Sequence, residues 1–361
     1  MLTIGDVYNA VNTIAPFSLA ESWDNTGLLV GSHKTQLRGA VAALDVTDAV
    51  IEEAVCAGAN LIITHHPVIF SPLKQIDGES LLYRLIALGI AVISAHTNLD
   101  IAAGGVNDAL AQRLELTGLR PLQFQAEQAF YKVAVMVPVQ DKEPVYEAMA
   151  AAGAGKLGNY AKCGFFALGE GRFLPLDGAN PAVGGIGKQE SVQEIRLEMM
   201  VAPANLQAVV SAMKAAHPYE EAAYDVYKTH AVKETQSLGY VGELPQSLTP
   251  CELALWVKEK LGARGVRFLE GAMPIKTVAI CGGSGGEFLE KAQKLGAEAL
   301  ITADVKHSQM LQAAHLGITL IDAGHFDTEV LVLQPFVEAL RSLLPELEIE
   351  ISAYTPPVYF V

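Results

Sequence analysis

The chain has 361 residues, half of them hydrophobic (51%), with 25 basic against 40 acidic residues and a formal net charge of -15. That length leaves room for two or three domains with a sizeable core, and the acidic balance argues against a general binder of nucleic acid or anionic membranes. Cys56, Cys163, Cys251 and Cys281 form no CxxC pair; with no secretory pattern and no apolar run of membrane-spanning length, a cytoplasmic protein with reduced thiols is expected.

Residues 3–15 read as an amphipathic helix with Thr3 as its N-cap. The polar loop from Glu21 to Leu28 carries Trp23, one of two tryptophans. Its Asp24 and Asn25 suit a turn built on side-chain hydrogen bonds, or a loop lining the mouth of a site. Gly39 to Leu44 reads as a strand ending in Asp45, followed by a helix at 47–57 with Gly58 as its C-cap. A second strand, 60–64, runs apolar into His65, His66 and Pro67, which sets two histidines at a strand's carboxyl end. A helix at 79–88, stopped by Gly89, leads to a strand at 90–94, then to His96, Thr97, Asn98, Leu99 and Asp100. Another helix follows at 106–115. Alternating strands and helices of this kind predict a doubly wound α/β domain with a mostly parallel sheet.

Near residue 126 the pattern changes. Residues 131–137 alternate like a half-exposed strand. A helix at 141–151, strands at 163–168, 171–176 and 193–201, a helix at 204–216 and a strand at 222–227 then give a β-α-β-β-α-β, ferredoxin-like order. This reads as an inserted α+β domain over 126–232, splitting the α/β domain into halves at 1–125 and 233–361. A linker is expected at 231–238. Beyond it come a helix at 249–261, a strand at 276–281 ending in Gly282, Gly283, Ser284, Gly285 and Gly286, a helix at 287–295, a strand at 298–302 and a helix at 306–315. The strand at 318–322 runs into His325, Phe326, Asp327, Thr328 and Glu329. A helix at 338–344 and an apolar tail at 358–361 close the chain.

Lone histidines are mostly packed or surface residues. Here three strand ends carry them, each beside another histidine or a carboxylate, and His325 and Glu329 share one helical face at a spacing of four. His65, His66, Asp100, His325 and Glu329 together are too many donors for one open zinc but suit two divalent ions, with Glu329 as the bridge. Without a cysteine ligand, Zn, Fe, Mn and Co all fit. His96 can ligate, or orient a ligand from behind. The loop containing Gly283, Ser284 and Gly285 can cradle a phosphate on its N–H groups, though it lacks a dinucleotide fingerprint or P-loop lysine and reads equally as a tight turn. Asp304, after the next strand, can face the same cleft or simply cap a helix.

The motifs at Glu21–Leu28, Thr64–Pro67, His96–Asp100 and Gly324–Glu329, in that order, resemble the dinuclear-metal-centre hexameric family whose members are commonly labelled GTP cyclohydrolase 1 type 2 homologue. The insert, with His217, Pro218, Tyr219, Glu220 and Glu221 followed by Ala223, Tyr224 and Asp225, resembles that of the longer, YqfO-like members, a module related to CutA and the PII signalling proteins. The resemblance implies metal ligation by His65, His66, Asp100, His325 and Glu329, a toroidal homo-hexamer of two stacked trimers, and inserts capping its openings. Two functions follow as expectations. One is a metal-dependent hydrolase of a nucleotide or related small phosphate compound, with His96 or Asp304 moving protons. The other is a non-catalytic metal-handling or regulatory scaffold in which the insert senses a small-molecule ligand or partner.

Overall fold

The computed structural model describes residues 1–157, 160–271 and 273–358, without the side chains of 124–129, 204 and 231–235. The apolar tail expected at 358–361 therefore lies, beyond Val358, outside the described residues. The chain divides into two compact units, Met1–Ala126 with Thr235–Val361, and Glu127–Glu234.

The first unit is mixed α/β and holds two sheets where one mostly parallel sheet is expected from the alternation. The first orders its strands Gly27–Val30, Ala91–Ser94, Leu61–Thr64, Ala40–Ala43 and Ile349–Ile351. Only Gly27–Val30 runs antiparallel to its neighbour. The three inner strands are buried at every residue, as strands covered on both faces must be, which is why they read as unbroken apolar runs. The second sheet sets Ile275–Ile280, Ala299–Thr302 and Thr319–Asp322 parallel, flanked by two antiparallel strands, Arg267–Leu269 at the edge and the last residues of Tyr224–Leu248.

One helix joins the two cores. Val106–Arg113 places Val106 among the side chains packed on the first sheet, with Ile63, Ile93 and Leu99. It places Leu110 among those packed on the second, with Ile280 and Ile301. Helix ends follow local chemistry: Thr3 and Asp6 form a capping box at Ile4–Ile14, Thr47 caps Asp48–Cys56, and Gly89 closes Leu81–Leu88 at φ +66°, a left-handed conformation glycine adopts freely.

The second unit runs strand, helix Lys142–Ala151, strands Gly164–Phe173 and Glu190–Val201, helix Leu206–Ala216, strand, around its own core of Val133, Val135, Leu197, Met199, Val209 and Met213. The two short strands expected at 163–168 and 171–176 are one continuous strand, because Gly169 and Gly171 stay within its register. The linker expected at 231–238 is instead backbone of the strand Tyr224–Leu248. No helix among the described residues is long and apolar enough to cross a membrane.

Candidate metal centre

Six strands of the two sheets deliver the site from their carboxyl ends, where α/β sheets gather ligands. From the first sheet, Ala43 leads to Asp45, Thr64 to His65 and His66, and Ser94 to His96. From the second, Ile280 leads to Gly283, Thr302 to Asp304, and Asp322 to His325. Asp100 and Glu329 come from short helices, Thr97–Ile101 and His325–Glu329. The first of these helices is not apparent in the sequence pattern.

The turn after Thr64 is fixed by backbone bonds. His65 N–H donates to Ala43 O at 3.2 Å, His66 N–H donates to Leu44 O at 2.8 Å, and the Ser94 hydroxyl donates to His65 O at 2.9 Å. Asn107 ties the sheets together: its amide N–H donates to Asp100 O at 2.9 Å while its Oδ1 accepts from Gly282 N–H at 3.0 Å.

The five residues expected as ligands converge. Glu329 lies at their centre, its side chain 4% exposed. Its Oε2 stands 3.0 Å from His66 Nε2, and its Oε1 stands 3.1 Å from His325 Nε2 and 3.7 Å from His65 Nε2. Asp100 Oδ1 is 3.5 Å from His65 Nε2. Three overlapping groups could hold a metal ion: His65, Asp100 and Glu329; His66, His325 and Glu329; and His65, His66 and His96. His65 Nε2 and Asp100 Oδ1 are buried without a hydrogen-bond partner. Such orphaned atoms are costly unless a further group satisfies them. Nitrogen and carboxylate donors with two buried atoms in need of a partner fit a divalent cation.

Every histidine of the cluster is held by its far nitrogen. His65 Nδ1 is 2.9 Å from Ala95 O, His66 Nδ1 is 2.8 Å from Asp45 Oδ1, His325 Nδ1 is 2.6 Å from Asp304 Oδ2, and His96 Nδ1 is 2.8 Å from Asp24 Oδ1. Each partner is an acceptor, so each Nδ1 carries a proton and Nε2 is the nitrogen left to face the cluster, where it donates to a carboxylate or, once deprotonated, can ligate a cation. For His65, His66 and His325 those Nε2 atoms face Glu329.

The electrostatics are those of a site that attracts cations. Burial opposes charge on His66 and His325, yet Asp45 and Glu329 raise His66 to about 10, and Glu329 and Asp304 raise His325 to about 9. Burial would likewise raise Glu329, but His65 and the hydrogen bonds from its histidine neighbours hold it well below the usual range. Asp100 goes the other way: burial outweighs the attraction of His65 and lifts it to about 6. Burial opposes ionisation of Asp24, and the bonds from His96 and Thr97 prevail, bringing it to about 2. Cys281, buried and pushed up by desolvation beside Asp100 and Glu329, stays a thiol, which leaves the donors nitrogen and oxygen.

Two expectations change. Two of the three loop N–H groups expected to cradle a phosphate are engaged within the protein: Gly283 donates to Thr328 Oγ1 at 3.1 Å and Gly285 to Thr302 Oγ1 at 2.8 Å. Gly283, Ser284 and Gly285 therefore form a tight turn against the cluster. A Cβ at Gly283 would sit 2.2 Å from Glu329 Oε1, and its φ is +61°, so glycine is required there. Asp304 faces the cleft as one reading had it, but its carboxylate is committed to His325, which makes it a positioning residue. Asp45 and Asp24 are partners that sequence spacing does not reveal, because they meet their histidines across 21 and 72 residues. A cavity of about 730 Å³ opens beside His66 and His325, walled by Asp45, Asp304, Asp327 and Arg264.

The family model described as Duf34/NIF3 (NGG1p interacting factor 3) matches residues 2–357. A protein of Bacillus subtilis named GTP cyclohydrolase 1 type 2 homolog is 40% identical over 322 residues, 88% of this chain and 86% of that protein. One of the same name from Halalkalibacterium halodurans is 38% identical over 359 residues, 96% of each. Among solved structures, a Bacillus cereus protein related to NIF3 superposes with a TM-score of 0.83 at 35% identity, covering 99% of both chains. Staphylococcus aureus SA1388 superposes with a TM-score of 0.64 at 30% identity, covering 100% of this chain and 99% of that one. The resemblance first visible in four short motifs thus extends over nearly the whole sequence, and the chain belongs to the Duf34/NIF3 family.

Proposed function

We propose that the protein binds two divalent metal ions, Zn, Fe or Mn, through His65, His66, Asp100, His325 and Glu329, and acts as a hydrolase of a nucleotide or related small phosphate compound. The observation that carries this reading is the uniform anchoring of every histidine at Nδ1, which leaves the Nε2 atoms of His65, His66 and His325 around one shared carboxylate, Glu329, with the orphaned Asp100 Oδ1 beside His65. Glu329, with one oxygen beside His66 and the other beside His65 and His325, would be the carboxylate shared between the ions.

Ions bound there would supply an acidified water and a Lewis acid at the reacting centre. The chain's own residues supply the rest. His96, backed by the Asp24 carboxylate, is the group placed to accept and return a proton, since an imidazole oriented by a buried carboxylate is a competent base. Asp45 and Asp304 fix the rings of His66 and His325. The relatives named GTP cyclohydrolase 1 type 2 homolog make a purine nucleotide the first candidate substrate.

The test is metal content per subunit in protein purified without a chelating tag, followed by turnover of a nucleotide panel by wild type, Glu329→Gln and His65→Ala. Near two ions in the wild type, fewer in both variants, and turnover lost with them is the expected result. Equal turnover in all three sinks the hydrolase reading. Metal bound without any turnover favours the metal-handling or regulatory scaffold.

We also propose that Glu127–Glu234 is a ferredoxin-like, PII/CutA-type insert and that the protein is a cytoplasmic homo-hexamer. The element order of that unit supports the first, and the family motifs support the second. Light scattering should return six times the 38.4 kDa subunit mass.

A further inference from the structure

Two large aromatic side chains stand in the open at the edge of the centre. Trp23 and Phe70 are each 58% exposed. Their ring centroids are 5.9 Å apart at an interplanar angle of 51°. Both meet His96 nearly edge-on, Trp23 at 6.1 Å and 78°, Phe70 at 6.5 Å and 72°. His96 in turn lies 5.2 Å from the His65 ring and 5.6 Å from the His66 ring. The aromatic pair is thus one imidazole away from the metal donors.

This exposure is held in place. Beside Trp23, the Asp24 carboxylate is fully buried and accepts from His96 Nδ1, Thr97 N–H and the Thr97 hydroxyl. Glu21 N–H donates to the Thr97 hydroxyl and Asp24 N–H donates to Glu21 O, both at 2.9 Å. Asn25 reaches across to the other loop, its amide donating at 2.6 Å to the carbonyl of Ile69, next to Phe70. Two loops some forty residues apart are therefore stitched together with an indole and a phenyl ring facing solvent. Apolar area kept in water on a fixed frame favours whatever flat apolar surface can cover it.

We propose that Trp23 and Phe70 form the binding corner for a planar heteroaromatic ring, so that the substrate class of this site is a compound whose ring stacks there while its substituents reach the metal centre. The geometry selects the mode of stacking. Carbon atoms in contact lie about 3.5–4.0 Å apart, so a ring sandwiched between two others needs them about 7 Å apart, more than the 5.9 Å seen. The incoming ring must lie on one face of the corner and present its edge to the other member, an arrangement aromatic groups favour. No hydrogen-bond pattern of a particular base is required, because every heterocycle offers a π-face. The inference deepens the hydrolase reading and rests on it only in placing the ring beside metal.

Trp23 is its own reporter. With Trp256 the only other tryptophan, Trp256→Phe leaves all tryptophan fluorescence at the corner. Guanosine and adenosine should quench it saturably, and ribose 5-phosphate should not, in metal-loaded and in chelator-treated protein alike. Phe70→Ala in that background should weaken nucleoside binding about tenfold or more, in line with the stacking seen in other proteins, with metal content unchanged. Phe70→Tyr should restore binding. Trp23→Ala, followed by equilibrium dialysis, should lose affinity to a similar extent. Saturable quenching in a protein that takes up no metal even when Zn, Fe or Mn is supplied would keep the corner and remove the hydrolase reading. Metal-dependent turnover with an unchanged KM in Phe70→Ala and Trp23→Ala would do the reverse. Absence of saturable quenching by either nucleoside, or equal quenching by ribose 5-phosphate, overturns the proposal.

Discussion

His66 is gripped between two carboxylates, Asp45 at Nδ1 and Glu329 at Nε2, and His325 likewise between Asp304 and Glu329. The outer carboxylate of each pair touches no other member of the cluster; it fixes the ring and makes the inner nitrogen a better donor. Asp45→Asn and Asp304→Asn should therefore weaken metal binding about 10–100-fold while leaving all five ligands in place, as competition with a coloured chelator would measure. Unchanged affinity in both would mean the rings are held by packing alone. This scale also shows what the sequence could reveal. His65 with His66, and His325 with Glu329, are neighbours within a turn, so spacing alone places them. Asp45 and Asp24 look like ordinary strand-end and turn residues, and their roles exist only after strands distant in sequence align. Asp304 is visible, but a left-handed φ of +52° and its bond to His325 decide its part.

At the scale of elements, the frame under the site depends on well-capped helices. Pro250–Leu261 packs Leu253, Ala254 and Val257 into the core of the second sheet, and it begins in a capping box of Thr249 and Glu252. Thr249→Ala should cost about 1 kcal/mol in urea unfolding at pH 7. Glu252 is held below its ordinary 4.5 by bonds from the Thr249 backbone and side chain. A carboxylate with a depressed pKa contributes stability above its unfolded value and loses that contribution as pH falls through the folded one. The gap between wild type and variant should hold at neutral pH and narrow in acid below 4.5; a gap constant down to strong acid would separate the cap from the carboxylate. Helices such as this were legible because their apolar period and caps are local. The strands Arg267–Leu269 and Ile349–Ile351 were not: three residues carry too little pattern, and their only signature is the partner strand they join.

Across the whole molecule, two units with separate cores imply two unfolding events. Metal should stabilise only the unit that contains the centre. At a free concentration a hundredfold above Kd the gain is about 2.7 kcal/mol, enough to raise that transition by about 5–10 °C. Calorimetry with metal and with a chelator should show one transition moving and the other staying. A single transition, or a common shift, would mean that the units unfold as one. The switch in strand pattern near residue 126 falls at the boundary between the two compact units. The division of the α/β unit into two sheets was not legible, since nothing local says that Ile349–Ile351 returns to pair with Ala40–Ala43.

That return has a consequence for how the protein comes into being. Asp100 is made early, Glu329 late, and roughly 200 residues of chain separate them, tens of seconds of synthesis at about 5–20 residues per second. A nascent chain holds the histidine pair long before the shared carboxylate exists, and the first sheet lacks its edge until Ile351 has left the ribosome. The complete centre is thus available only to the finished polypeptide, which makes metal loading a step of maturation and leaves each new chain a period in which its exposed histidines depend on the cell to keep the wrong ion away.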